Sequence, residues 1–449
     1  MEVSAVWRIA LNERLTERLA NEASPPEAAP FAPHIAVVGS GPSGCYTAQM
    51  LKKKWNDAQI TVFDRLPVPF GLLRYGVSPD HQSTKSISRQ FSRMFESGSV
   101  AFVGNVQVGK DISVGRLREA FDIVVLATGL GADRALPGIA GGEVYGAGRV
   151  MRWFNAHPDE LLFEPKFGRT TAIIGSGNVA IDVVRLLSKH SVAFTGSDLD
   201  PSRLDKRPNE IVVVGRSDGG SARFDSAMIR ELGKLDDVAF HVELPDHPRE
   251  QNPLAVAKLE ALRELCDEGR HVHNPRVRVK FRFGWIPLEA GNDSEGMFLR
   301  IADSETGNKT DLLRVDSVVT AVGFRGGLEH EIDRAIYESD RSNLAAGVLD
   351  DGLYCVGWFR RGPIGGIPDN RADAKLVTEQ IVSDSERSSL VADKPGFESL
   401  AHNLHSSIVD FDGWVRIDRF ESETTTRDRC RTKVPDVATM LDIALRKSR

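Results

Sequence analysis

His34-Ile-Ala-Val-Val-Gly-Ser-Gly-Pro-Ser-Gly44, a helical run, and then Gln59-Ile-Thr-Val-Phe-Asp64 read in order as strand, tight turn, helix and second strand. Ile35 to Val38 form a short apolar run, rich in β-branched residues, suited to a strand buried on both faces. Gly39, Gly41 and Gly44 place G-x-G-x-x-G at its end. The first glycine permits the sharp turn, the second lets backbone approach a pyrophosphate, and the third lets helix pack closely on strand. A helix starting near Pro42 aims its unpaired N–H groups and its dipole at that anion. Asp64 ends the second strand about 20 residues past Gly44, where an acid holds a ribose hydroxyl. The pattern predicts a dinucleotide site.

A second unit of the same kind begins at Thr170. Thr171-Ala-Ile-Ile-Gly-Ser-Gly-Asn-Val-Ala180 repeats strand and turn as G-x-G-x-x-A, and Ile181 to Leu187 continue as helix. The next strand, Ile211-Val-Val-Val-Gly-Arg216, ends in an arginine instead of an acid. An arginine there meets a 2′-phosphate with paired, charged hydrogen bonds, and Arg223 is a candidate to help. Two turns of opposite second-strand chemistry imply two different dinucleotides. FAD beside NADPH is the economical pair.

Composition sets the bounds. A chain of 449 residues is long enough for two or three domains, and 41% hydrophobic with 27% charged residues is ordinary for a globular protein. A net charge of −6 gives no reason to expect nucleic acid or an anionic membrane as partner, and no apolar run approaches the length of a membrane span. Cys45, Cys266, Cys355 and Cys430 are scattered and form no C-x-x-C, so no redox disulfide, iron–sulfur or zinc ligand set is expected, and the expected compartment is cytoplasmic.

Residues 1–33 stand apart. Val6, Ile9, Leu11, Leu15 and Leu19 recur at roughly helical spacing, and Ala23 to Pro33 carries four prolines and reads as a linker. Glu2, Glu13, Glu17 and Glu22 argue against a transit peptide. The expected state is a monomer, with dimerisation through this helix as the alternative. Arg65 to His81 holds prolines and glycines that argue against regular structure, yet it is apolar enough to lie along a ligand or the core. Arg276, Arg278, Lys280 and Arg282 alternate with Val277, Val279 and Phe281, which puts the cations on one face of a strand, as a solvated face or a dock for an acidic partner. Ser317 to Phe324 reads as a strand returning to the first domain. In Leu353 to Ile367, Gly362, Gly365 and Gly366 leave N–H groups open for a ring carbonyl or phosphate, and Trp358 offers an aromatic plane. The tail carrying Trp414, Ile417 and Met440 to Leu445 should pack on the first domain as small helices.

From about residue 34 onward the chain resembles the adrenodoxin-reductase-like ferredoxin–NADP⁺ reductases, including the mycobacterial-type NADPH–ferredoxin reductases. The motifs that carry the resemblance are V-V-G-S-G-P-S-G, P-F-G-L-L-R-Y-G-V-S-P-D-H, G-N-V-Q-V-G, G-S-G-N-V-A-I-D-V-V-R and Y-C-V-G-W-F-R-R-G-P-I-G-G-I. The resemblance implies an α/β flavoprotein of two Rossmann-like dinucleotide-binding domains. The NAD(P)H domain (132–327) would be inserted into the FAD domain (34–131 and 328–449). FAD would sit at Gly39, Gly41, Ser43, Gly44, Asp64, Leu72, Val108, Trp358, Gly365, Gly366 and Ile367. NADPH would use Ser176, Gly177, Asn178, Val179, Arg216 and Ser217, with Trp358 and Gly365 near the nicotinamide. His81 and Glu231 match the histidine and glutamate that lie near the two rings in the family.

The sequence departs from the family at two places: Ser217 replaces a second arginine, and Met228 replaces a glutamate in the following helix. Loss of one charged hydrogen bond costs about 1.5–3 kcal/mol, and Asp218 could accept from a ribose hydroxyl, which together leave NADH open as an alternative donor. The implied reaction is hydride transfer from nicotinamide to flavin, followed by single-electron steps to a separate, acidic ferredoxin. His81 and Glu231 would tune the flavin's surroundings and relay protons. The Arg276–Arg282 face, Arg360 and Arg361 are the docking candidates for that partner. A non-catalytic FAD- and nucleotide-binding sensor or recruiting module is the competing reading.

Overall fold

A computed structural model describes residues 31–205, 207–243, 252–269, 272–326, 341–388, 392–402 and 404–446. The N-terminal helix expected over Val6 to Leu19 lies outside them. Two six-stranded sheets organise the chain. In the first, the order is Val348–Asp350, Leu353–Cys355, Ile123–Leu126, His34–Val38, Gln59–Phe63 and Ala101–Val103; all pairings are parallel except that of Val348–Asp350 with Leu353–Cys355. Ile35 and Val37 enter one core and Ala36 and Val38 the other, so the apolar run at the head of the chain is buried on both faces, as its composition requires. The tail helices Phe411–Glu423 and Val437–Ala444 pack Trp414, Ile417, Met440 and Ile443 into the same core as Ile35.

The second sheet is entirely parallel, in the order Val144–Gly146, Ser317–Thr320, Thr170–Ile174, Glu210–Gly215, Val277–Phe283 and Val238–Glu243. One face buries Ile173, Ile211 and Val213. The other is covered by an antiparallel sheet of Trp285–Asp293, Gly296–Asp303 and Thr310–Arg314, through Trp285, Leu299 and Ile301. Ser317–Thr320 thus belongs to the second sheet and does not return the chain to the first. The crossing is made beyond it, where Phe324–Arg325 pairs antiparallel with Ala132–Asp133 in a two-stranded ribbon.

The apolar segment after Asp64 does contain regular structure. Gly71–Tyr75 forms one turn of helix, entered through Phe70 in the left-handed region (φ 82°), whose N–H donates to Ser40 O at 3.1 Å. Leu66, Val68, Phe70, Leu73 and Tyr75 are buried. Pro67 and Pro69 lie in the irregular stretch between the strand and this helix, and do not exclude it.

A buried charged cluster joins the halves. Asp198, from the segment after the second unit's helix, accepts from Lys85 Nζ at 2.8 Å and from Lys433 Nζ at 2.9 Å. Asn155 Oδ1 accepts from the same two ammoniums at 2.6 and 3.2 Å, and the Arg74 carbonyl from both at 3.3 and 3.0 Å. Nearby, Arg74 pairs with fully buried Glu421 at 2.5 Å, and Glu421 also accepts from Arg431 and from Val434 N–H. Burial lowers the pKa of both lysines, most strongly that of Lys433. Burial alone would raise Asp198, but the two cations bring it down to about 2.

Candidate dinucleotide sites

Gly39 adopts φ 110°, donates to Phe63 O at 2.7 Å, and a Cβ there would sit 2.4 Å from Ala127 O, so no other residue fits that turn. Gly44 is closed in the same way: a Cβ would lie 2.0 Å from Gly39 O. Gly41 is the opposite case. Nothing lies within 4 Å of its added Cβ, and its φ of −66° is ordinary. Its side-chain direction is open space at the N-terminus of the Pro42–Lys54 helix, the place where a pyrophosphate approaches. Residues and space fit FAD.

Around this turn the expected residues converge. Gly71 packs on it, with an added Cβ 3.1 Å from Gly41 Cα, and Leu72 is half-buried in the same short helix. Buried Ser43 meets Gly357, whose added Cβ would lie 2.3 Å from Ser43 Oγ, so the C-terminal glycine-rich segment abuts the first turn. Val108 is buried in the same core as Ala36 and Val38 and is bridged to Ile112. Asp64 is more occupied than expected. Its carboxylate accepts from Ser40 N–H (3.0 Å), Ser40 Oγ–H (2.5 Å) and Leu66 N–H (3.0 Å), leaving about one of its roughly four lone-pair sites for a ribose hydroxyl.

In the C-terminal segment, Trp358 is half-exposed, stacks on Phe324 (centroids 5.3 Å, 27°) and donates Nε1–H to Gly365 O at 3.2 Å. Phe324, on the ribbon between the sheets, carried no signal in the sequence. Gly365 has φ 83°, and Ile367 begins a 22-residue helix; the N–H groups of Gly362 and Gly366 are not open as expected, since they donate to Trp358 O at 2.9 Å and Asp369 Oδ2 at 2.7 Å. Asp373 holds the segment from beneath, accepting from Gly357 N–H at 2.5 Å and Arg360 Nε–H at 2.8 Å.

At the second turn Gly175 adopts φ 120° and donates to Val214 O at 2.8 Å, and a Cβ there would lie 2.3 Å from Ala321 O. Ser176, Gly177, Asn178 and Val179 are all partly exposed at the start of the Asn178–Ser188 helix, while Ala180 is buried in the position that Gly44 holds in the first unit. Arg216 is exposed and has no side-chain partner among the described residues. Ser217 is half-buried and its carbonyl accepts from Gly284 N–H at 3.2 Å; Met228 packs on the second core. Asp218 does not face a ribose. It is buried, its Oδ1 accepting from Gly220 and Ser221 N–H (2.8 and 2.9 Å) and its Oδ2 from Ser221 Oγ–H (3.0 Å), so it staples its own loop. The argument it offered for NADH therefore falls.

His81 and Glu231, 150 residues apart, meet at 3.4 Å between Nε2 and Oε1, longer than a well-formed hydrogen bond. Behind them Arg185, buried, reaches Glu231 at 3.4 Å, Asp80 at 2.5 Å and Asp182 at 3.0 Å, and Lys189 reaches Asp80 at 2.7 Å. The contact with His81 and the charge of Arg185 hold the Glu231 carboxyl below its usual range. Burial would raise Asp80, but Arg185 and Lys189 outweigh it and hold that carboxyl well below. The sequence places Asp182 and Arg185 one turn apart on a helix, but not their partners on the Ser78–His81 loop.

Residues 33–234 match the pyridine nucleotide-disulphide oxidoreductase family. The cindoxin reductase of Citrobacter braakii is 58% identical over 412 residues, covering 92% of this chain and 91% of that protein. The NADPH-ferredoxin reductase FprA of Mycobacterium tuberculosis H37Rv is 31% identical, covering 92% and 99%. This chain belongs to the adrenodoxin-reductase-like ferredoxin–NADP⁺ reductases. The solved structure of Mycobacterium tuberculosis FprA in complex with NADPH superposes with a TM-score of 0.82 at 29% identity, covering 93% of this chain and all of that one. Like the rest of this reductase family, it is an α/β flavoprotein with two dinucleotide-binding units, an FAD-dependent oxidoreductase that uses NADPH.

The docking faces expected from the sequence of this reductase are largely occupied. Arg276 pairs with Asp237 at 2.6 Å, Lys280 with Glu243 at 2.6 Å, and buried Arg282 with Glu243 and Asp311 at 3.0 and 2.5 Å; Arg278 alone of the four stays exposed without an ion pair among the described residues. Arg360 and Arg361 both bind Asp373. Period two gives the face of a strand correctly, but the acids that neutralise it come from neighbouring elements. No described helix is long and apolar enough to cross a membrane, and no cluster of metal-ligating residues occurs among the described residues.

Proposed function

We propose that this reductase takes electrons from NADPH and passes them singly to a separate ferredoxin-type iron–sulfur protein. The observation that carries the reading is the pair of glycine turns with opposite second strands: Asp64 tied into the first and an unpartnered Arg216 at the second. The names of the relatives, reductases of ferredoxin and adrenodoxin, favour an enzyme over a sensor module. When bound, FAD and NADPH supply the hydride and single-electron chemistry. The chain's own part is to hold and shield. Gly41 and the N–H groups of the helix N-terminus behind it would hold the FAD pyrophosphate, Ser43, Leu72, Val108 and the Gly365–Ile367 turn would contribute to the rest of the FAD site, and Trp358, backed by Phe324, would offer an aromatic face. Ser176 to Val179 form the backbone cradle for NADPH, and Arg216 supplies the cation for its 2′-phosphate. Glu231, backed by Arg185, faces His81 Nε2 at 3.4 Å, and the pair would tune the flavin's surroundings and relay protons.

Steady-state cytochrome c reduction with NADPH, with and without an added ferredoxin, tests the reading. The rate should rise with ferredoxin and saturate. A rate indifferent to ferredoxin counts against it.

With the expected basic faces largely neutralised, Arg325 on the ribbon that carries Phe324 and Arg134 beside its partner strand are exposed cations without an ion pair among the described residues. They are the docking cations we assign for an acidic carrier. Reversing both charges (Arg134→Glu with Arg325→Glu) should raise the KM for ferredoxin several-fold at low salt, and the difference should shrink as salt is added. A KM that is unchanged at low salt removes them from the docking surface.

A further inference from the structure

Arg223 stands where no glycine-turn pattern looks for a ligand residue. The loop that carries it is built to present it. Asp218 staples residues 218–221, and Ala222 and Phe224 on either side are buried, so Arg223 faces outward. The loop is then clamped to the second turn. Asn178 Oδ1 accepts from Asp225 N–H at 2.8 Å while Asn178 Nδ2–H donates to Asp225 Oδ2 at 2.7 Å. Gly177 and Arg223 form a parallel bridge, and the one contact that a Cβ at Gly177 would make within 4 Å is with Arg223 Cβ, at 4.0 Å. Arg223 has no side-chain partner among the described residues.

Gly177 is the second glycine of its turn, the one that a pyrophosphate approaches, whereas Arg216 stands at the end of the neighbouring strand, where a ribose 2′ substituent is read. We infer that Arg223 is a pyrophosphate-binding residue that strengthens NADPH and NADH alike, while Arg216 reads the 2′-phosphate. This rests on the assignment of the second unit to NADPH. It also separates two roles that the sequence alone merges, since Arg223 there reads as a helper of Arg216 at the 2′-phosphate. A guanidinium on a phosphate makes charge-assisted hydrogen bonds, whose loss weakens binding about ten-fold or more.

The test uses the FAD-loaded enzyme, with direct titration of NADP⁺ and 2′-AMP and kcat/KM for NADPH and NADH. Arg223→Ala should weaken NADP⁺ and lower kcat/KM for both coenzymes by the same factor, about ten-fold, with the NADPH-to-NADH ratio and 2′-AMP binding unmoved; Arg223→Lys should recover part of the loss. Arg216→Ala should abolish 2′-AMP binding and collapse the ratio. Loss of NADPH alone, or of 2′-AMP, in Arg223→Ala overturns the inference in favour of a second 2′-phosphate contact. No change in any of the four measurements overturns it in favour of a solvated arginine. A wild-type enzyme that binds neither NADP⁺ nor 2′-AMP overturns the NADPH assignment itself, a result that neither arginine variant can produce.

Discussion

Gly41→Ala should purify as a folded protein that has lost most of its flavin. The added methyl group meets nothing within 4 Å in the protein, and φ at Gly41 is −66°, so neither sterics nor backbone strain opposes the substitution in the apoprotein. A surface change of this kind moves stability by no more than about 0.5 kcal/mol. The methyl group does occupy the space through which a pyrophosphate reaches the helix N-terminus, and overfilling a packed site costs about 1–3 kcal/mol, a loss in FAD affinity of about 5- to 150-fold. Thermal unfolding of the apoprotein and titration with FAD read the two effects separately. Gly44→Ala is the contrasting control. Its Cβ would lie 2.0 Å from Gly39 O, so the turn itself must move, and the apoprotein should lose stability along with FAD. Full flavin occupancy with wild-type affinity in Gly41→Ala would remove the first turn from the FAD site.

Asp198→Asn should destabilise the protein by about 3–5 kcal/mol, because it leaves two buried ammoniums, Lys85 and Lys433, without their carboxylate. Lys433→Met, which restores a one-to-one pair, should cost far less. The pH dependence follows from the sign of the shift. A carboxylate whose pKa falls on folding binds fewer protons in the native state, so its stabilisation is complete above the unfolded value near 4 and is lost as pH falls toward about 2. That corresponds to about 2–3 kcal/mol in the wild type over this window, which Asp198→Asn should lack. Urea midpoints across the window check both statements. Equal midpoints for wild type and Asp198→Asn at neutral pH would show that the cluster does not hold the two halves together.

The two glycine turns were legible because what they require is local: a left-handed φ at Gly39 and Gly175, open space at Gly41, and strands whose apolar residues alternate between two cores. The fold class followed from them. Which charges remain free was not legible, because that depends on partners far away in the chain. Arg276 and Arg282 look like a binding face until Asp237, Glu243 and Asp311 are placed beside them, and Asp218 looks like a ribose ligand until its own loop closes on it. The buried cluster of Asp198, Lys85 and Lys433 draws on three segments with no common motif, and Phe324 gains its role only when the ribbon brings it onto Trp358.

Anaerobic mixing of the FAD-loaded enzyme with NADPH or NADH, following the flavin absorbance, tests the central claim most directly. NADPH should bleach the flavin in a single turnover, and NADH should do so at least about ten-fold less effectively, since only the former offers Arg216 a phosphate. Flavin that stays oxidised with both coenzymes would contradict the reductase reading, and equal bleaching by both would contradict the role of Arg216.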